Sequence, residues 1–252
     1  AFIRLLFQIS LVLSFIIFND IQILKTKVYL IDKFLEYDYF NYFFVSFCIL
    51  IVINGSNFMD GLNTLGIGYY LIIGLIVFYL SLDQQISSNE FNISHFLIIL
   101  FVAFVLNFFN SFFLGDSGSY LLGFIFSILL ISYYKWNPYI SPFYIVLLLW
   151  YPCFETLFSI IRKKILKRSV MSPDSNHLHQ LIFFYLKKRT KMKVFYTNLI
   201  TANMINLYNF IIFILASNFI YNSKIQIIFI LLNLIIYTAI YFKLFNYRVK
   251  KI

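Results

Sequence analysis

Apolar residues run along this chain in long blocks separated by short polar breaks. Eight blocks stand out, near residues 1–19, 38–54, 65–82, 94–112, 119–134, 139–154, 196–217 and 225–242. A helix rises about 1.5 Å per residue, so about 20 apolar residues cross a hydrocarbon layer about 30 Å thick. The pattern predicts an all-α, polytopic transmembrane helix bundle of about eight helices. Several blocks are short. The second is apolar only from Phe40 to Ile53 and then meets Asn54-Gly55-Ser56-Asn57, which suits a protein with a water-filled pocket near one face.

Composition agrees. The chain is 62% hydrophobic, and only 12% of its 252 residues are charged. A soluble domain carries about a quarter charged residues. A net charge of +10 would point to nucleic acid in a soluble protein, but here its position matters more than its sum. Alternating the breaks between two sides leaves Lys25, Lys27, Lys33, Lys135 and Lys224 on one side and the other 15 of the 20 basic residues on the opposite side. The basic-rich side is therefore cytoplasmic, and nucleic acid is not an expected partner. Acidic residues lean the other way: Asp20, Asp32, Glu36, Asp38, Asp83 and Glu90 are expected outside, with Asp60, Asp116, Glu155 and Asp174 inside. Cys48 and Cys153 have neither metal-type nor redox-type spacing. The chain starts at Ala1, already within an apolar block, and reads as lacking its N-terminal part.

Three polar segments fall on the cytoplasmic side. In the first, Asn54, Asn57, Asp60 and Asn63 recur at every third residue, a polar ladder if the helix continues through them, or else a loop of turn formers. The second runs from Asn107 through Asn110 to Phe113-Leu114-Gly115-Asp116-Ser117-Gly118-Ser119. A carboxylate at a membrane boundary is costly unless paired, metal-bound or wet, so Asp116 is either a ligand for Mg²⁺ and phosphates or a helix cap. Ser117 and Ser119 are expected to cap the next helix. The third segment, Pro173 to His179, places His177 and His179 two apart within a cytoplasmic basic stretch at about 155–195. These histidines offer N–H donors to phosphate, or are simply solvated.

Taken together the segments resemble the polyprenyl-phosphate N-acetylhexosamine-1-phosphate transferases, which include the bacterial GlcNAc-1-phosphate transferases of O-antigen and teichoic acid synthesis and the phospho-MurNAc-pentapeptide translocase. Asn54-Gly55-Ser56-Asn57-Phe58-Met59-Asp60-Gly61 looks like the family's Asn-x-x-Asn-x-x-Asp-Gly motif. Phe113-Leu114-Gly115-Asp116-Ser117-Gly118-Ser119 looks like its Phe-Met/Leu-Gly-Asp-x-Gly-Ser motif. Asp174 to His179 resembles its His-x-His loop, and Pro152-Cys153-Phe154-Glu155 a Pro-x-x-Asp/Glu element. The resemblance implies one transferase domain over 1–252 in a multi-pass plasma-membrane protein, its active site facing the cytoplasm. The implied reaction moves HexNAc-1-phosphate from a UDP-sugar to polyprenyl phosphate and releases UMP. Mg²⁺, with Mn²⁺ as the alternative, would be held by Asp116. Asp60, His177 and His179 would complete the catalytic set, with Asn54, Asn57 and Asn63 lining the nucleotide-sugar pocket. Phe113 would stack on uracil, with Asn107 or Asn110 at the base edge. A homodimer is left open.

Two departures bear on this. The Asp-Asp pair that relatives carry before the span opening here at Ala1 is absent from these residues, so this stretch alone is expected to be inactive. The second Asp-Gly of the family's Asp-Gly-x-Asp-Gly is Asn63-Thr64. Two other readings stay open: a transporter or flippase using Asp60 and Asp116 as ion sites, and a non-catalytic descendant of the family.

Overall fold

The computed structural model describes residues 2–82, 93–167, 169 and 175–251. Asp83, Glu90, Arg168, Pro173 and Asp174 lie outside the described residues. The described chain is helical throughout: α1 (Phe2–Phe18), α2 (Tyr29–Leu35), α3 (Asp38–Met59), α4 (Leu65–Ser81), α5 (Ile93–Phe108), α6 (Gly115–Trp136), α7 (Pro142–Leu148), α8 (Trp150–Ile165), α9 (Leu178–Thr190), α10 (Val194–Ser217) and α11 (Ser223–Lys251). Each of the eight apolar blocks becomes helix, one of them split into α7 and α8. The short helices α2 and α9 are added from the polar breaks. α3, α6, α10 and α11 are long and apolar enough to cross a bilayer, and the bent pair α7–α8 makes a fifth candidate. α1, α4 and α5 are apolar but shorter, at 16 or 17 residues.

The bend between α7 and α8 is 72°. Pro152 explains part of it, because a proline cannot donate to the carbonyl four residues back. That carbonyl, on Leu148, instead accepts the Tyr69 hydroxyl at 2.8 Å. Beyond the bend, residues 155–165 continue as helix inside the bundle. Much of the stretch read as a basic loop is therefore regular structure.

α3 is the hub, packing against α1, α6 and α8. Small residues let backbones approach where water gives no hydrophobic drive between helices. A Cβ on Gly55 would lie 2.0 Å from the Pro152 carbonyl oxygen of α8, and one on Gly123 of α6 would lie 2.9 Å from the Cα of Ile53. The core beside this hub is aromatic, built on Tyr69, Tyr70, Phe126, Trp150, Tyr151, Phe213 and Tyr237. Several of its polar tips are bonded: Trp150 Nε1 donates to Asn209 Oδ1 at 2.8 Å, and Tyr70 shares a hydrogen bond with Ser56, whereas the buried Tyr151 hydroxyl has no partner among the described residues. Apolar side chains such as Phe7, Leu11, Ile98, Leu231 and Ile235 face outward, as a lipid-facing surface requires.

Polar contacts gather at two opposite ends. At one, Tyr134 donates to the Lys25 carbonyl, Lys27 reaches Ser223, and Ser223 meets Ser141. At the other lie the starts of α1, α4, α6 and α10 and the ends of α3, α5 and α8, together with α9.

Candidate functional site

The second end holds all three polar segments. α3 stays helical through Asn54 and Asn57 and stops at Met59, with Asp60 as its C-terminal cap residue. Residues three apart on a helix lie only about 60° apart, so Asn54 and Asn57 are neighbours on one flank, but they turn to different partners. Asn54 donates to the Leu50 carbonyl and turns toward Gln8 of α1, whereas Asn57 Oδ1 accepts from Ser119 of α6 at 3.1 Å. Asn63 lies past the helix, so the four residues form no single ladder. The Asn63 N–H donates to Asn198, and its side-chain amide donates to the Asn107 carbonyl and to Asn110.

Asn107 is buried and acts as a brace. Its oxygen accepts the Thr64 N–H, and its amide donates to the Phe112 carbonyl at 2.7 Å. Asn110, exposed and at φ 59°, is the more accessible of the two candidates for a base edge. Phe113 is 66% exposed at the same end, an open aromatic face.

α6 opens at Gly115, whose φ of +65° is easy for glycine and strained for other residues. A Cβ there would meet nothing within 4 Å, so the requirement is conformational, not steric. Because the helix starts this early, Ser117 and Ser119 sit within it and do not cap it; Ser119 Oγ points back to the Asp116 carbonyl at 2.9 Å. The Asp116 carboxylate is not a cap either. It projects from the first turn and pairs with Arg4 at 3.0 Å, with side chains 66% and 51% exposed. A wet ion pair of this kind contributes only about 0–1 kcal/mol, so Asp116 can change partners cheaply.

Asp60 faces this loop, close enough for the Asp116 charge and the Gly115 N–H to act on its carboxyl. Burial, reinforced by the negative charge of Asp116, pushes its carboxyl up to about 7. The two acids are thus neighbours with Arg4 as the nearest cation bonded to either, and they are the carboxylates able to face a divalent metal. Among the described residues no three or more His, Cys, Asp or Glu side chains form a metal cage.

The histidine arm closes the site. The Phe58 ring stacks on His177 at 4.8 Å, and His177 stacks on His179 at 5.8 Å. Gly61 lets His179 approach, since a Cβ there would lie 2.8 Å from His179 Nε2. His179 is fully buried, and neither ring nitrogen has a partner among the described residues. Burial holds its imidazole down at about 4, the nearby Glu155 charge opposing this, so it is neutral at pH 7. His177 Nδ1 bonds Glu155 Oε1 at 2.8 Å. Asp60, Asp116, His177 and His179, 119 residues apart at the extremes, therefore meet at one end of the bundle. Sequence reasoning gave Arg4 only a topological role and did not single out Tyr237, which donates to Glu155. The Pro152-to-Glu155 element was the available signal for Glu155; Tyr237 is one of 20 tyrosines and carries none.

Residues 1–134 match the model of the family described as glycosyl transferase family 4. The chain is 31% identical over 154 residues to a probable undecaprenyl-phosphate N-acetylglucosaminyl 1-phosphate transferase of Bacillus subtilis, covering 59% of this chain and 42% of that protein. It is 35% identical over 69 residues to an undecaprenyl-phosphate alpha-N-acetylglucosaminyl 1-phosphate transferase of Thermotoga maritima, covering 27% and 22%. The chain thus spans less than half the length of either relative. No solved structure matches it. With its apolar helices and more than half of its residues matched by that model, this is a multi-pass membrane protein, and the chain belongs to glycosyl transferase family 4.

Proposed function

We propose that the protein transfers a HexNAc-1-phosphate, GlcNAc-1-phosphate by analogy with the two relatives, from a UDP-sugar to polyprenyl phosphate at the cytoplasmic face of the plasma membrane. The observation that carries this reading is the meeting of Asp60, Asp116, His177 and His179 at one end of an apolar bundle. In the reaction an oxygen of the lipid phosphate attacks the β-phosphorus of the nucleotide sugar. The new P–O bond forms as the bond to the bridging oxygen breaks, and UMP leaves with that oxygen. Such a transfer asks the protein for alignment and charge neutralisation more than for covalent help.

The donor set fits a hard divalent cation. Asp116 is accessible and weakly paired, and Asp60 beside it has a raised carboxyl that a cation would favour ionising. One or two carboxylates plus substrate phosphates is the usual Mg²⁺ environment. Bound Mg²⁺, or Mn²⁺, supplies neutralisation of the charge on the diphosphate. The chain's own residues do the rest. Asp116, whose pairing with Arg4 is exposed and weak, would hold the metal. His177, with Nδ1 on Glu155, would offer Nε2–H to phosphate oxygens as the imidazolium. Phe113 offers its exposed ring to uracil with Asn110 at the edge of the base, while Asn107 and Asn63 keep the two loops in register.

Transfer of radiolabelled GlcNAc-1-phosphate from UDP-GlcNAc into lipid by the intact protein in membranes tests the reading. Asp116→Asn is expected to lower transfer about 100-fold or more, and removal of divalent cation to abolish it. Undiminished transfer by Asp116→Asn sinks the role given to this residue. Nucleotide-independent ion or lipid flux in liposomes, with no transfer, supports the ion-site reading of Asp60 and Asp116 instead.

A further inference from the structure

Glu155 is a carboxylate sealed in the bundle, 1% exposed, on a helix otherwise packed among aromatic rings. A buried charge is costly unless its oxygens are bonded, and an acid inside a membrane bundle marks function by default. Both oxygens are engaged. Oε1 accepts His177 Nδ1 at 2.8 Å and the Leu178 N–H at 3.3 Å, while Oε2 accepts the Tyr237 hydroxyl at 2.6 Å. Three elements, α8, the start of α9 and α11, are thereby tied together at one carboxylate.

Everything around His177 restricts the same ring. Phe58 and His179 lie on its faces. The two preceding residues are pinned from α8 and α11: Arg162 donates to the Asn176 carbonyl at 2.7 Å, and Arg248 to the Ser175 carbonyl at 2.6 Å. A histidine whose Nδ1 donates to a carboxylate has its tautomer and ring direction set by that bond, and presents Nε2 to a ligand. Phe58 stands two residues before Asp60, and His179 touches Gly61. The ring so fixed therefore belongs to the wall of the acidic site.

We propose that Glu155 is a positioning residue for the transfer reaction: it fixes the His177 ring so that the imidazolium holds the carboxylate with Nδ1–H and meets the diphosphate with Nε2–H, and Tyr237 locks the carboxylate in turn. Glu155 itself touches no substrate. This rests on the transferase reading above and adds to it a residue whose effect passes wholly through His177.

The test is a double-mutant cycle on the intact protein, reading kcat and KM for UDP-GlcNAc together with the melting temperature in detergent. Glu155→Gln keeps the shape and is expected to lower kcat about 10–100-fold, the loss usual for an orienting partner, with KM changed much less. His177→Gln lowers kcat at least as far, and adding Glu155→Gln to it costs nothing further. Tyr237→Phe, which removes only the Oε2 bond, gives a smaller loss that also disappears in the His177→Gln background. It keeps the cycle informative should Glu155→Gln fail to fold. Losses that multiply in the double variants, or unchanged kcat in Glu155→Gln, overturn the proposal while leaving the transferase reading intact. Absence of transfer by the wild-type protein instead overturns the transferase reading and, with it, this inference.

Discussion

At the scale of single residues, the turn after α3 shows how the site loop is held. Thr64 sits at φ 68°, a left-handed conformation that a β-branched side chain adopts only under strain. It is buried, and its hydroxyl has no partner among the described residues. Asn107 takes its N–H, and Asn206 donates to its carbonyl at 2.9 Å, so neighbours on α5 and α10 impose the conformation. Members of the resembled family carry glycine here, which suits the geometry. Thr64→Gly is expected to stabilise the protein by about 1 kcal/mol, the relief of strain and of a stranded hydroxyl exceeding the lost packing. A higher melting temperature in detergent is the readout, and a lower one means the threonine methyl matters more than its backbone. Asp116 and Asp60 were legible in the sequence because acids are conspicuous beside apolar blocks. Asn107 was legible as polar but not as a brace, since the Thr64 N–H that its side chain accepts lies in a different loop. Arg4 could not be paired from sequence, being 112 residues from Asp116.

At the scale of elements, the apolar blocks located the helices because a bilayer demands both length and continuous apolarity. They did not locate the break at Leu149, which falls inside an apolar run. Nor did they show that α8 continues past Glu155, because Arg162, Lys163 and Lys164 resemble a solvated loop. Arg162 and Lys163 are in fact buried, the former against the Phe158 and Tyr241 rings. The α3–α8 crossing is where this matters for the site. Gly55 lies against the Pro152 backbone, and the Thr156 hydroxyl bridges the crossing to the Ile51 carbonyl at 3.2 Å. Gly55→Ala puts a methyl where a backbone carbonyl stands, and backbone cannot swing aside as a flexible side chain does. A loss of about 1–3 kcal/mol is expected, as for other overpacked contacts. Because Glu155 rides on the displaced helix, transfer activity should fall more than folded yield does. Comparing activity per folded molecule, by size-exclusion recovery, separates the two. An unaltered Gly55→Ala variant means that the helices slide apart without cost.

At the scale of the whole molecule, the convergence of distant acids makes stability depend on pH, and the sign can be worked out. Asp60 titrates near 7 in the folded protein, above its ordinary value. The unfolded chain releases this proton first, so the contribution of Asp60 to stability is complete below about pH 4 and is lost as pH rises through about 7. His179 acts oppositely: its folded value near 4 lies below that of an unfolded histidine, so its contribution is lost as pH falls from about 6.5 toward 4. The two offset each other on the acid side, and between pH 6.5 and 8 Asp60 acts without His179. Asp60→Asn, which cannot ionise, is therefore expected to melt higher than wild type at pH 8, by a smaller margin at pH 5, and no higher below about pH 4. Mg²⁺ should narrow the gap at pH 8 by favouring the ionised carboxylate in wild type, and should do so less in Asp116→Asn, where the second acid is gone. Equal melting temperatures for wild type and Asp60→Asn at pH 8 without metal mean that water, not Asp116 and the bundle, surrounds the Asp60 carboxylate. The two acids would then not share a site.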